Sequence, residues 1–170
     1  MESKSGKAAD VVDYGASEAP DLADVLHKSV VFSSLGRRRL HRVGVVGAVV
    51  AGRETGFVHV NLATVSPGKS GEAEAALNER GIFYVAAPVF GRAEVAEAGQ
   101  LTVLAAGDPG AIDVVAPMLD VIGRRTWRIG EDPAQANVVK ILGNYLIANA
   151  IQAMAEATTV AEKSAVRPKC

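Results

Sequence analysis

Strand-like and helix-like segments alternate in the carboxyl-terminal two thirds of the chain. Short apolar runs, rich in β-branched residues and bounded by glycine, proline or aspartate, predict strands. The four predicted strands are residues 57–62, 82–87, 101–106 and 126–129. This alternation with helical segments predicts an α/β fold in which a mostly parallel sheet is flanked by helices.

Three of the predicted helices begin with a short polar residue followed by proline. The polar side chain accepts a hydrogen bond from a first-turn amide, and proline at the first helical position gives up no bond. The three starts are Ser66-Pro67, Asp108-Pro109 and Asp132-Pro133. Gly81 and Gly123 stand where two helices are expected to end.

The last predicted helix is long for the size of the chain. It begins after Asp132, where Gln135 gives the spacing of a capping box, and continues to about Lys163. A helix of about thirty residues is normally covered by other structure. Apolar residues lie around much of its circumference, so we expect an exposed apolar surface that leads to homodimers, to binding of a complementary chain, or to poor solubility.

Residues 1–56 show no comparable periodicity. Residues 10–12 are interpreted as a strand remnant and residues 21–27 as a short helix. The basic and Gly/Val-rich sequence that follows has no secondary-structure assignment. A stretch Gly44-Val-Val-Gly47 lacks the glycine spacing of a dinucleotide-binding fingerprint.

Composition excludes collagen-like, disordered and disulfide-scaffold proteins. With 170 residues, of which 49% are hydrophobic and 22% charged, the chain is an ordinary globular protein. Eighteen basic against nineteen acidic residues give a net charge of -1, which does not favour a nucleic-acid partner. The one cysteine, Cys170, cannot pair within the chain, and a cytoplasmic location is expected. The longest apolar run, residues 43–51, is shorter than a membrane helix, so no span is expected.

The first candidate site is the turn from Asn61 to Pro67, between a predicted strand and a predicted helix. Ligands bind at the carboxyl ends of strands in open α/β sheets, and amides at a helix start favour anions. A capped turn without a ligand remains the alternative. Gly68-Lys69-Ser70 also matches a permissive phosphate loop, but Ala63 replaces the usual first glycine and Pro67 lacks an amide, which disfavours a nucleotide triphosphatase.

Two further candidate sites contain a cation. Gly91 and Arg92 follow the second predicted strand; the arginine can hold a carboxylate, or it can be a solvated loop residue. Lys140 and Asn144 lie four residues apart on one face of the last helix, among apolar neighbours. Desolvation would lower the lysine pKa toward the range of proton transfer, whereas a lysine extending to solvent is the alternative. His27, His41 and His59 lack the spacing of metal ligands, and no metal is expected.

These motifs together resemble the β-hydroxyacid dehydrogenase family, which includes 3-hydroxyisobutyrate dehydrogenase and the 6-phosphogluconate dehydrogenase type of NAD(P)-binding domain. The matching text is NLATVSPGKS, APVFGRAEVAEAGQL and GEDPAQANVVKILGN, in this order within residues 57–158. The resemblance implies a partial Rossmann-like sheet, a cofactor that is NADP or NAD, and hydride transfer between nicotinamide and a small hydroxy acid or carbonyl compound.

The resemblance also implies roles for individual residues. Lys140 matches the family's catalytic acid/base, and Thr64 matches a residue that contacts the cofactor. Gly91, Arg92 and Asn144 match positions that hold the substrate.

Departures from the family pattern occur in each motif. Asn61 and Ala63 replace the usual Asp and Ser, and the usual Ser-Gly-Gly loop reads Phe90-Gly91-Arg92. Ala134 and Ala136 replace the glycines before the lysine.

The family's glycine fingerprint and its helical domain have no counterpart in this amino-acid sequence, so a truncated member is expected. A non-catalytic remnant that docks through the exposed helix is the competing interpretation. The expected organisation is an atypical segment 1–56, a partial dinucleotide-binding domain 57–131, a linker helix 132–163 of a missing helical domain, and a tail 164–170.

Overall fold

One mixed sheet forms the centre of the protein. The structure, a computed structural model, describes residues 9–34 and 56–166. The described strands are β1 (Val30–Ser33), β2 (Val58–Asn61), β3 (Phe83–Ala86), β4 (Val89–Phe90), β5 (Leu101–Ala106) and β6 (Gly123–Gly130). Strands β1, β2 and β3 are parallel neighbours, and β5 is parallel to β6 but antiparallel to β3 and β4. The predicted α/β fold with a mostly parallel sheet is confirmed.

Three of the six described helices begin where the polar-proline pairs predicted. The six are α1 (Ala9–Val12), α2 (Leu22–Leu26), α3 (Pro67–Asn78), α4 (Ala93–Glu97), α5 (Pro109–Ile122) and α6 (Pro133–Lys163). Asp108 accepts a hydrogen bond from the Ala111 amide at 2.8 Å, and Asp132 accepts one from the Ala134 amide at 2.8 Å. Ser66 precedes α3 but its side chain makes no capping bond, so that part of the prediction is wrong.

Several predicted boundaries are corrected. Residues 10–12 belong to α1 and not to a strand, whereas the predicted short helix at residues 21–27 is found as α2. Helix α3 ends earlier than expected, with Glu79 as its C-cap, and Gly81 follows in the turn with a φ of 68°. Gly123 is the C-cap of α5, as expected, although its φ of -131° is extended and it also opens β6. Strand β6 is therefore longer than the predicted 126–129. The unassigned Gly/Val-rich text and Gly44 to Gly47 lie outside the described residues.

Two apolar clusters pack on opposite faces of the sheet. On one face, Ala73 and Leu77 of α3 and Ala136 of α6 pack with sheet residues such as Tyr84 and Leu104. On the other face, α5 covers the sheet. Its buried residues are Ala111, Ile112, Val115 and Leu119. The sheet is thus sandwiched, and α6 shares its face with α3.

Helix α6 is buried only near its start. Pro133, Ala136 and Asn137 are its buried residues, and the apolar side chains beyond them are exposed. Within the described ranges it is the one helix whose length and mean hydropathy, 1.2, would allow it to cross a membrane. Length and composition alone do not place a helix in a membrane, so the expectation of no membrane span stays a prediction.

Candidate functional site

The loop between β2 and α3 is held from inside by buried amide side chains. Asn61 ends β2 and is 1% exposed. Its Oδ1 accepts a hydrogen bond from the Ala63 amide at 3.0 Å, and its Nδ2 donates to the Tyr84 hydroxyl at 3.0 Å. Thr64, at the tip of this loop, is exposed. The loop therefore presents Thr64 at the carboxyl end of β2.

Helix α6 contributes a second anchor to the same loop. Asn137 is fully buried, and its Oδ1 accepts a hydrogen bond from the Val65 amide at 3.0 Å. Its Nδ2 donates to the Ser70 hydroxyl at 3.4 Å, and Ser70 is also hydrogen bonded to Tyr84. These bonds connect β2, β3, α3 and α6. They also exclude the phosphate-loop interpretation, because Ser70 is buried in this network and Lys69 pairs with Glu72.

Lys140 is half-buried against an aromatic ring. Its Nζ lies 3.7 Å from the centroid of the Phe90 ring. Desolvation lowers the pKa of Lys140 from its ordinary value. The sequence interpretation attributed this enclosure to helix neighbours such as Val139 and Leu142, but these side chains are exposed. The enclosure comes from β4 instead.

The Phe90 ring approaches α6 at a glycine. A Cβ atom at Gly143 would lie 2.5 Å from Cζ of Phe90. The neighbouring residue, Asn144, is exposed on α6 one turn after Lys140. Gly143 thus permits the contact that places β4 beside Lys140.

Gly91 and Arg92 lie just beyond that contact. Gly91 has a φ of 148°, a conformation that favours glycine, and a Cβ atom there would lie 2.5 Å from Cδ2 of Leu101. Arg92 is exposed and precedes the short helix α4. The backbone of this loop is therefore fixed by a requirement for glycine, while the arginine side chain faces solvent.

The three predicted segments meet along successive turns of α6. The loop after β2 contacts α6 at Asn137, and β4 contacts it at Lys140 and Gly143. Residues three apart on a helix have Cβ atoms about 5–6 Å from each other, so these contacts are adjacent. Sequence reasoning missed Asn137, Phe90 and Gly143. The one available signal was the spacing of Asn137 and Lys140, which are polar residues on the same apolar helix face.

Comparison with known proteins identifies the family. A family model described as the NAD binding domain of 6-phosphogluconate dehydrogenase matches residues 1–130. The chain belongs to this family. The matched domain is a nicotinamide dinucleotide-binding domain, so the cofactor class predicted from the resemblance, NADP or NAD, is confirmed at the level of the family.

Individual relatives support the same assignment. The chain is 32% identical over 123 residues to 2-(hydroxymethyl)glutarate dehydrogenase of Eubacterium barkeri, an alignment that covers 72% of this chain and 40% of the relative. The solved structure of Psf3 in complex with NADP+ and 2-OPP aligns with a TM-score of 0.75 and 27% identity over 89% of this chain and 56% of that one.

A third comparison concerns the fold. Mycobacterium tuberculosis 3-hydroxyisobutyrate dehydrogenase with L-serine aligns with a TM-score of 0.83 at 22% identity, over 94% of this chain and 55% of that one. At this identity the likeness shows the shared fold. The chain spans about half the length of the proteins that it matches.

Proposed function

We propose that the protein is an NAD(P)-dependent oxidoreductase that transfers hydride between nicotinamide and a small hydroxy acid or its carbonyl partner. The observation that supports this most strongly is the environment of Lys140. A half-buried lysine with a lowered pKa lies at the edge of the sheet where three loop and helix segments meet, within a family of NAD-binding domains. Perturbed titratable groups of this kind are typical of active sites.

Lys140 is the proposed acid/base. When bound, nicotinamide would supply or accept the hydride, and Lys140 would give or take the hydroxyl proton of the substrate. Because desolvation lowers its pKa, the ammonium group releases a proton more readily than an exposed lysine does. The proton is held at Nζ, beside the face of the Phe90 ring.

The surrounding residues are proposed to hold the two ligands. Thr64 offers an exposed hydroxyl for the nicotinamide end of the cofactor. Arg92 can bind a substrate carboxylate through two parallel hydrogen bonds, and Gly91, whose backbone is fixed against Leu101, is proposed to line the same substrate site. Asn144 adds an amide one turn after Lys140 on the same helix.

The donor set at this edge fits a nicotinamide ring. The ring carries a carboxamide and apolar faces, and this edge provides the Thr64 hydroxyl, the Asn144 amide and the Phe90 ring. The backbone amides of Ala63 and Val65, on either side of Thr64, are already hydrogen bonded. This reduces the conformational entropy that the loop loses when a ligand binds.

The long helix is the proposed association surface. Its exposed apolar residues include Tyr145, Leu146, Ile147 and Ile151. A patch of this kind marks a protein interface, and we propose a cytoplasmic homo-oligomer without a nucleic-acid or membrane partner. A non-catalytic module that docks through the same helix is less favoured, because it gives no reason for the packing of Lys140 against Phe90.

Cofactor titration tests the enzyme proposal. NADH and NADPH fluorescence should change on addition of the chain, and a panel of small hydroxy acids and aldehydes should then give turnover. Lys140→Met should keep cofactor affinity while the rate falls by about 10²–10⁴, the usual effect of losing an acid/base group. Lys69→Met, an exposed lysine that pairs with Glu72, is the control and should behave as the wild type. Absence of binding of either cofactor at millimolar concentration would defeat the proposal.

A further inference from the structure

The two backbone amides on either side of Thr64 are bound by buried side chains of two different elements. The Ala63 amide donates to Asn61 in β2, and the Val65 amide donates to Asn137 in α6. The first bond is local to the loop. The second joins residues 72 positions apart, and it attaches the loop directly to the helix that carries Lys140.

The orientation of Asn137 is set by both ends of its amide. Nδ2 donates to the Ser70 hydroxyl, which is hydrogen bonded to Tyr84, and Tyr84 accepts a hydrogen bond from Asn61. Rotation of the Asn137 amide would bring its NH₂ group against the Val65 amide, donor against donor. Asn137 and Ser70 are both fully buried, so water does not replace these partners.

We propose that Asn137 is a positioning residue that fixes Thr64 relative to Lys140. The inference rests on the proposed function of these two residues. Asn137 lies three residues before Lys140, so the helix backbone sets the distance between these two residues. A single hydrogen bond sets the distance from Asn137 to the loop that carries Thr64. Without that bond the loop keeps only its local anchor at Asn61. Displacement by about 1 Å in a reacting pair can cost about 10²-fold in rate.

Amide hydrogen exchange measures this anchor directly. In Asn137→Ala the Val65 amide loses its acceptor, and its protection should fall about tenfold or more. The amide of Val60, at the centre of β2, reports the integrity of the sheet and should exchange as in the wild type. Asn137→Asp keeps an acceptor oxygen in either protonation state of the new carboxyl group and should retain Val65 protection.

Kinetics distinguish positioning from a general contribution to stability. In Asn137→Ala we expect the dissociation constant for NADH to change less than about threefold while kcat falls about tenfold or more, because the interaction lost acts on geometry. Asn137→Asp should recover most of kcat. Ser70→Ala releases the other end of the Asn137 amide, and it should lower Val65 protection about threefold. This variant replaces Asn137→Ala as the test if Asn137→Ala does not fold.

The exchange rates test the role of Asn137, and the cofactor titration tests the proposed function. Unchanged Val65 exchange in Asn137→Ala, or in Ser70→Ala if that variant has to replace it, overturns the assignment. Equal loss of protection at Val65 and Val60 also overturns it, because the role is then global stability. A wild-type chain that binds neither cofactor defeats the proposed function, and this outcome is read from the titration and not from the exchange rates.

Discussion

The ammonium group of Lys140 lies over the face of the Phe90 ring, with Nζ 3.7 Å from the ring centroid. The ring face attracts the cation, whereas the desolvation that the ring causes disfavours it. Burial lowers the pKa of Lys140 from its ordinary value. The contact exists because Gly143 has no side chain to occupy the position of the ring. Lys140, Phe90 and Gly143 therefore act as one unit.

Substitution of Gly143 should move the Phe90 ring away from Lys140. Gly143→Ala would place Cβ 2.5 Å from Cζ of Phe90, so the ring must move away from α6 and from Lys140. Replacing a helical glycine by alanine normally raises the free energy of unfolding by about 0.5–1 kcal/mol. We expect that gain to be absent in Gly143→Ala, as measured by urea unfolding, and the turnover rate to fall.

Gly71→Ala is the matched control for this prediction. Gly71 lies within α3, and a Cβ atom there would have no neighbour within 4 Å. This variant should show the gain of about 0.5–1 kcal/mol and unchanged turnover. Equal stabilisation by the two substitutions would contradict the steric account of Phe90.

The fold was predictable where local chemistry determines it. The three polar-proline pairs gave the starts of α3, α5 and α6, because proline and a short polar residue act within one turn. The first half of β6 was not predicted. It reads Gly123, Arg124, Arg125, and an edge strand with exposed side chains needs no apolar pattern.

The site was predictable as separate segments but not as contacts. Thr64, Gly91, Arg92, Lys140 and Asn144 all lie where loops or the long helix were expected. The bond between Val65 and Asn137 spans 72 positions, and one sequence carries no information on such pairs. The approach of Phe90 to Gly143 was missed for the same reason, and glycine within a helix reads only as a weak helix former.

Removal of the Tyr84 hydroxyl should weaken the buried network. This hydroxyl accepts a hydrogen bond from Asn61 and is bonded to Ser70, and burial raises the pKa of Tyr84. Tyr84→Phe leaves the Asn61 amide without its acceptor, so the free energy of unfolding should fall by about 1–3 kcal/mol in urea titrations. Tyr14→Phe, at a side chain that is 92% exposed, should change it by less than about 0.5 kcal/mol. A Tyr84→Phe protein as stable as the wild type would show that the network adds nothing.

Charge on the apolar side of α6 should oppose association. Ile147 and Ile151 are 53% and 58% exposed and lie one turn apart. Ile147→Asp and Ile151→Asp should shift sedimentation toward monomer, because a carboxylate buried in an apolar interface is costly to desolvate. Asn149→Asp adds the same charge at an exposed position that is already polar and has no acidic residue three or four positions away, so it serves as the control. A sharp monomer boundary for the wild type at high micromolar concentration would refute the proposed oligomer.

Acid should destabilise the sheet through His59. This side chain is fully buried on β2, one ring nitrogen is 2.9 Å from the Ser33 hydroxyl, and desolvation lowers its pKa from 6.5 to about 4. Between these two pH values the unfolded chain binds the proton and the folded chain does not. The free energy of unfolding should therefore be lost as the pH falls from 6.5 to 4, by about 3 kcal/mol, and should gain nothing from His59 above pH 6.5.

The difference between wild type and His59→Gln isolates this group from the other titrating residues. Glutamine keeps a polar atom for Ser33 but has no proton to bind in this range. Urea unfolding of both proteins at several pH values between 4 and 8 should show the wild type losing stability relative to the variant as the pH falls below 6.5. A difference that stays constant across this range would mean that His59 accepts its proton equally well in the folded sheet, which its burial between Ser33 and Tyr84 opposes.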